Sequence, residues 1–497
     1  MKPPSLTRRA LWLVLPTLAT LVYVSTLVEY PLDFWHHATI GRLIAQTGSI
    51  PNRDVFTCTI GGDTIIDQGW LADLATYWLF SWGGFELVQF AAAVCYGLAV
   101  AITTATAWRR SQSAGASTIL ALGTVGLLLA NLGIRPQAVS FLLFALELHI
   151  LFCSPGHWWG VAAVAVIQVV WTNIHGAFPL GTALPGIFLL AALGTSLRQS
   201  GLRGAMRCRM VWYFAACTTV AVLAAFCNPC PSRTLDYVWG VASKCPQRGI
   251  QEWLPTWSGS FTGNAFFLSL AFIVAIVFTA RRQMQLVEWL VVIVFGLLAS
   301  RYQRMVAWWA MAMAPAMAPH LARLVKTLIS KEAAEDETPS AAWATLVLIL
   351  VWLGMTTPWT RLYNPLLPRA KRQTPVAVEP RELVQFLVRD GFHGHVFAPV
   401  EWGAFLTWHL PPEARIFIDG RIDLFPDSVW RDYERIANAQ EDWATRLDHY
   451  GVQLVVWNRK LSDRLPRALK LSRHWEKIYE DAIGTVYRKT IPSISRE

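Results

Sequence analysis

The chain has 497 residues, 54% of them hydrophobic and only 15% charged, with a formal net charge of +10 and a mean hydropathy of +0.36. A soluble globular domain carries about a quarter of its residues as charges, so this composition excludes that class for most of the chain. The basic residues are spread in short clusters rather than gathered into one domain, so the positive balance points to a membrane topology and not to a nucleic-acid partner.

In chain order, apolar blocks occupy residues 11–28, 85–107, 119–132, 158–171, 187–193, 211–226, 265–279, 287–298, 305–317 and 341–352, and the stretch around Glu147 and His149 is a further span. A helix needs roughly 18–20 apolar residues to cross the hydrocarbon core. Several blocks reach that length alone and the shorter ones do so with their flanks, so about eleven transmembrane helices are expected. The first block is longer than a signal-peptide core and lacks a small-residue cleavage site, which makes it an uncleaved span. Arg8 and Arg9 then hold the N-terminus inside. With that orientation the remaining basic clusters fall on the inner side: Arg109–Arg110, then Arg198, Arg203, Arg207 and Arg209, then Arg281–Arg282, then Arg323, Lys326 and Lys331.

The expected organisation is a transmembrane domain over 1–358, with long outer loops at about 29–84 and 228–263, a linker over 359–378, and a soluble α/β domain over 379–497. Within the first loop, 34–46 and 70–82 read as amphipathic helices lying along the outer leaflet. Residues 331–340 read as an acidic inner loop. In the C-terminal domain, 381–390 has helical spacing closed by Gly391. Short apolar runs at 395–399, 415–418, 452–457 and 483–487 read as strands, with helical stretches at 427–448 and 465–479, which suggests a largely parallel sheet. Cys230 and Cys245 lie on the outer side, where a disulfide is allowed.

The unusual polar residues collect on that same outer side. Asp33, His36 and His37 share one helical face (i, i+3, i+4), an arrangement suited to a substrate group or to a divalent cation such as Mg or Mn held by Asp33 and His37. Asp54 and Asp67 follow in the loop. Arg135 lies in the turn after the third span, Asn173 and His175 close the fifth, Glu252 sits in the second long loop, and Arg301 and Arg304 follow the ninth. Each also has a plainer reading. Asp33 can cap the helix starting at Phe34, the histidines can be structural, Asn173 and His175 can tie helices together, and the arginines can snorkel to headgroups. Together, a carboxylate that deprotonates a hydroxyl or amine and guanidinium groups that hold a departing phosphate suit transfer from a phospholipid carrier.

The run Asp33-Phe-Trp-His36…Gly41…Gly48-Ser-Ile-Pro51-Asn-Arg-Asp54-Val-Phe-Thr57…Trp70-Leu resembles the first outer loop of a group of bacterial multi-spanning proteins in or near the GT-C superfamily of membrane glycosyltransferases that use polyprenyl-phosphate sugars. The resemblance continues through Arg135-Pro-Gln137, Trp171-Thr-Asn173-Ile-His175-Gly176, Asn228-Pro229, Glu401-Trp-Gly403 and Phe417-Ile-Asp419-Gly-Arg421. It implies a GT-C-like fold in a bacterial inner membrane, with the N-terminus inside and the C-terminal domain outside. A lipid-linked sugar is the implied donor, and a glycan, lipid or protein the acceptor. Asp33 matches the superfamily's acidic base or metal ligand, with Asp54 beside it, and His36, His37, Asp67, Arg135, Asn173, His175, Glu252, Arg301 and Arg304 are substrate-binding candidates. Two positions depart from the pattern: Gln68-Gly69 stands where a His-Glu pair is expected, with Asp67 close by, and Phe34 replaces a Trp. Asp419, Arg421, Asp423 and Glu401 either bind an acceptor or form a turn locked by an Asp–Arg pair. The rival functions are a non-enzymatic scaffold of the same architecture and a lipid-linked glycan transporter, for which Glu147 and His149 are the mid-span polar groups.

Overall fold

The computed structural model describes residues 8–28, 33–257, 259–328, 339–372, 379–421 and 424–490. Residues 331–338 of the expected loop, residues 373–378 of the expected linker, and Glu29 and Asp423 lie outside them. The chain divides into two compact units, Met1–Leu27 with Trp82–Arg372, and Val28–Ser81 with Gln373–Glu497.

The first unit is helical. Among the described residues, four helices are long and apolar enough to cross a membrane: Trp70–Ser111, Ala114–Asn131, Phe178–Arg207 and Phe261–Ala280. Shorter apolar helices span Ala10–Ser25, Gln137–Cys153, Trp159–Thr172, Arg209–Ala224 and Trp343–Met355. The longest helix is interrupted at Gly83 and Gly84, where Gly84 adopts φ +66°. Only glycine takes that backbone region without strain, so the break is written in the sequence. Helix Val306–Leu328 is apolar nearly all round, and its Trp308, Trp309, Met311 and Met317 are buried, as a helix at the centre of a bundle must be. The last carbonyls of the first helix have no intrahelical donor. Gln89 Nε2 donates to Val24 O at 2.8 Å, and Arg361 Nη1 donates to the carbonyls of Ser25 at 3.0 Å and Leu27 at 2.7 Å. Residues 358–372, linker-like in composition, are thus built into this unit through a fully buried arginine.

The second unit contains β1 (Gly394–Phe397), β2 (Ala414–Ile416), β3 (Val452–Asn458), β4 (Trp475–Glu480) and β5 (Gly484–Lys489), in the order β2-β1-β3-β5-β4. β1 pairs parallel with β2 and β3, whereas β5 runs antiparallel to β3 and β4. The sheet is therefore mixed, not largely parallel. The difference lies in 465–479, which is not one helical stretch but helix Arg464–Leu471 followed by β4. Asp481 Oδ1 accepts the N–H groups of Ile483 and Gly484, both at 2.7 Å, and folds β5 back on β4 as a hairpin. Helix Val400–His409 was not apparent from the sequence; a Cβ on its Gly403 would sit 2.4 Å from the Ile418 carbonyl.

The first long loop belongs to this second unit. Ile416 N donates to Phe56 O at 3.1 Å and Cys58 N to Ile416 O at 3.0 Å, so residues 56–58 pair with β2, an edge strand whose free ladder would otherwise be exposed. Ile60 enters a core with Phe397, Phe417 and Trp457. Helix Phe34–Thr47 is not left with an apolar face for the leaflet. Trp35 packs 5.3 Å from Phe405 and 5.5 Å from Phe80 between ring centroids, and its Nε1 donates to Glu379 Oε1 at 2.7 Å. Cys230 and Cys245 are not joined in the disulfide that their outer position allows.

Candidate functional site

The first-loop candidates surround helix Phe34–Thr47. Asp33 holds its N-cap position, but its side chain makes no capping bond. The rings of His36 and His37 lie 4.1 Å apart, and His37 Nδ1 bonds the carboxylate of Asp73, a residue the sequence reading missed. An acid in the first turn of an otherwise apolar helix was the available signal. Asp73 also shares a hydrogen bond with Asp67. Burial pushes the Asp67 carboxyl well above the ordinary aspartate range, and the neighbouring Asp73 adds to the rise. Two carboxyl groups in contact cannot both ionise in a buried site, so the pair holds a proton between them.

Asp54 is 1% exposed and its lone pairs are occupied. Oδ2 accepts from Thr57 N at 2.9 Å and Thr57 Oγ1 at 2.7 Å, and Oδ1 accepts from Arg421 Nη2 at 2.7 Å. Asp419 takes the other edge of Arg421, with Nε and Nη2 donating at 3.0 and 2.7 Å. Burial disfavours the Arg421 charge, yet Asp419 and Asp54 raise its pKa above the ordinary arginine value. Asp54 is thus a clamp on Arg421 in this structure, an arrangement that a catalytic base would have to leave. His37 Nδ1 is engaged by Asp73, and among the described residues no group of three or more His, Cys, Asp or Glu is arranged to hold a metal ion.

In the helical unit, three predicted residues meet. Glu252 bridges Arg135 at 3.3 Å and Arg304 at 3.5 Å, and Arg304 lies 4.8 Å over the Trp253 ring. Local bonds fix each partner. Tyr96 Oη donates to the carbonyls of Asn131 and Gly133, both at 3.1 Å, which shapes the turn bearing Arg135, and Gln303 N donates to Leu254 O at 3.1 Å, which ties the two other segments together. Side chains of Arg135 and Glu252 are 37% and 33% exposed, so the cluster is open to a ligand. Arg301 stands over Tyr302 at 4.8 Å and makes no ion pair with Glu252.

Asn173 and His175 do the tying that their plainer reading foresaw. Asn173 Nδ2 donates to Cys227 O at 2.7 Å, and Asn228 Nδ2 donates to Thr172 O at 3.0 Å. Ser140 Oγ accepts from Trp171 Nε1 at 2.8 Å and meets His175 Nδ1 at 3.0 Å. Of the mid-span groups, Glu147 is fully buried, with neither carboxyl oxygen hydrogen-bonded among the described residues.

No family model matches the chain, and no curated protein matches it. Solved structures do match, among them two of oligosaccharyltransferases. The archaeal oligosaccharyltransferase AglB from Archaeoglobus fulgidus, in complex with an inhibitory peptide and a dolichol-phosphate, matches with a TM-score of 0.54 at 11% identity, over 97% of this chain and 75% of that one. The Archaeoglobus fulgidus oligosaccharyltransferase in complex with Zn and sulfate matches with a TM-score of 0.53 at 11% identity, over 96% of this chain and 73% of that one. At that identity the likeness is one of fold alone: the fold of this chain is similar to that of these oligosaccharyltransferases over nearly its whole length.

Proposed function

We propose that the chain is an integral membrane glycosyltransferase that moves a sugar from a polyprenyl-phosphate carrier to an acceptor on the outer face of a bacterial cytoplasmic membrane. The observation that carries this reading is the open Arg135–Glu252–Arg304 cluster in a chain whose fold is that of a protein solved with a dolichol-phosphate. Eleven helices cross the membrane, with the N-terminus and the Arg109–Arg110 and Arg281–Arg282 clusters inside and the C-terminal domain outside.

The reaction makes a bond from the acceptor oxygen or nitrogen to the anomeric carbon and breaks the bond from that carbon to phosphate. The bonding pair leaves on the phosphate and the acceptor proton goes to a base. Arg135 and Arg304 hold the departing phosphate through charge-assisted hydrogen bonds, with Arg301 as a further cation. Asp33, the position that matches the superfamily's acidic residue, is proposed as the base, with His36 and His37 following it in the same helical turn.

Native mass spectrometry of the purified protein with added polyprenyl phosphate tests this. The wild type and Asp33→Asn should carry the lipid, and Arg135→Ala/Arg304→Ala should lose it, while Asp33→Asn should abolish transfer. Absence of bound lipid from every form overturns the donor assignment.

A further inference from the structure

The second long loop holds a helix with three different sides. In helix Thr234–Gln247, Leu235, Trp239, Ala242 and Pro246 fall at i, i+4, i+7 and i+11 and so form one apolar stripe. The stripe is turned outward: Leu235 is 53% exposed and Trp239 77%. A second side faces the protein. Thr234 and Cys245 are buried on it, and Val238 packs against the core of the helical unit. Thr234 Oγ1 donates to Cys230 O at 2.7 Å and Ile250 N to Cys245 O at 3.2 Å, so both ends of the helix are tied down. The third side is polar and carries Asp236 and Lys244, with Arg248 following at the C-terminal cap.

The level at which this helix is held decides what covers the stripe. The turn after it leads to Glu252, which bridges Arg135 at 3.3 Å and Arg304 at 3.5 Å. Arg135 follows the end of the membrane-length helix Ala114–Asn131, and Arg304 precedes helix Val306–Leu328. The helix is therefore anchored where spanning helices end. Beyond Glu252 the chain enters a further helix of membrane length, Phe261–Ala280, which Ser260 caps by accepting from Gly263 N at 3.0 Å. That helix leaves Leu268, Phe272 and Phe278 exposed, as it does Phe261 at its start and Trp257 just before it, a surface that acyl chains cover in a bilayer. Large apolar side chains grouped at this level lose free energy in water and gain it in the acyl boundary, and a Trp there keeps its N–H for the headgroups. An apolar stripe with a Trp in it, bordered by basic side chains, is the composition of a helix lying in a membrane surface.

We infer that helix Thr234–Gln247 lies in the plane of the membrane surface, with Leu235 and Trp239 in the acyl boundary and phospholipid as the partner of its stripe. This rests on the membrane character of the chain and not on the glycosyltransferase reading. It sets the Arg135–Glu252–Arg304 cluster beside phospholipid headgroups, the depth at which a carrier phosphate lies.

Photolabelling of the full chain in phosphatidylcholine nanodiscs tests it. The probe is a phosphatidylcholine with a diazirine high on one acyl chain, and peptide mass spectrometry maps the adducts. They should appear on 234–247 as well as on 261–280, which serves as the internal control for labelling from lipid. Leu235→Ser/Trp239→Ser removes only exposed side chains and should melt like the wild type. Its adducts on 234–247 should fall about five- to ten-fold, since those two side chains carry most of the apolar area of the stripe, while labelling of 261–280 stays as it was. Absence of adducts from 234–247 when 261–280 is labelled, or equal labelling of 234–247 in the variant, overturns the inference. A dimer in native mass spectra that the variant abolishes also overturns it, because a second copy of the chain then covers the stripe.

Discussion

Glu252 is the residue on which the phosphate reading can be pressed hardest. It neutralises part of the charge of Arg135 and Arg304, so an incoming phosphate must displace it from at least one of them. Removing its charge should favour the ligand. Glu252→Gln is expected to tighten binding of polyprenyl phosphate by about five- to ten-fold, since one charge at 3–4 Å near a protein surface is worth on the order of 1 kcal/mol or more. Titration of the lipid by native mass spectrometry reads the change, and weaker binding would mean that Glu252 belongs to the site as a ligand contact.

Asp67 makes a second residue-scale prediction, through pH. Its carboxyl is raised in the folded protein by burial and by Asp73, so the native state keeps a proton that the unfolded chain releases above about pH 4. The stabilisation tied to that proton is complete below the unfolded pKa and is lost as pH rises toward the folded one. Asp67→Asn carries a permanent donor toward Asp73 and removes the part of the dependence that belongs to Asp67, while burial still holds the Asp73 carboxyl up at about 8. The variant should melt higher than wild type at pH 8 and nearly level with it at pH 4.5. A wild-type melting temperature that is flat or rising over that interval would contradict the buried proton.

At the scale of elements, close approach is set by glycine. A Cβ at Gly41 would lie 2.0 Å from the Asp73 carbonyl oxygen and 2.8 Å from Tyr77 Cβ, so helix Phe34–Thr47 and the start of helix Trp70–Ser111 touch backbone to side. Gly41→Ala should lower thermal stability by about 1–3 kcal/mol, as overpacking does, and should disturb the His37–Asp73 bond. Gly123, in helix Ala114–Leu128, has nothing within 4 Å of its Cβ direction, so Gly123→Ala should be neutral or slightly stabilising in the same melting experiment. The strand elements carry the corresponding lesson about reading a sequence. β3 lies close to where its apolar run placed it. β4 did not announce itself, because Trp475–Glu480 exposes half its residues and an edge strand of that kind has the polarity of a surface helix.

For the molecule as a whole, the division of the chain matters more than any single element. Residues 28–81 complete the unit formed by 373–497: they supply the strand segment beside β2, Ile60 in the core, and Asp54 on Arg421. Removing one partner from a buried ion pair strands the other and is strongly destabilising. Residues 373–497 produced alone should therefore lack a cooperative melting transition, and co-producing 28–81 should restore one. A sharp transition for 373–497 alone would show that the loop is an accessory and not part of the fold.

The sequence by itself determined the membrane character, the break at Gly83-Gly84, the helix 381–390 and the approximate positions of four strands, because hydropathy, glycine conformation and local periodicity are carried by neighbours along the chain. Only the tertiary structure decided that the first loop joins the C-terminal domain, that Asp54 clamps Arg421, that Asp73 pairs with both Asp67 and His37, and that the cysteines stay apart. Those facts depend on residues separated by as many as 367 positions, Asp54 and Arg421 being the widest pair, and a contact over that distance is set by packing, which no local pattern encodes.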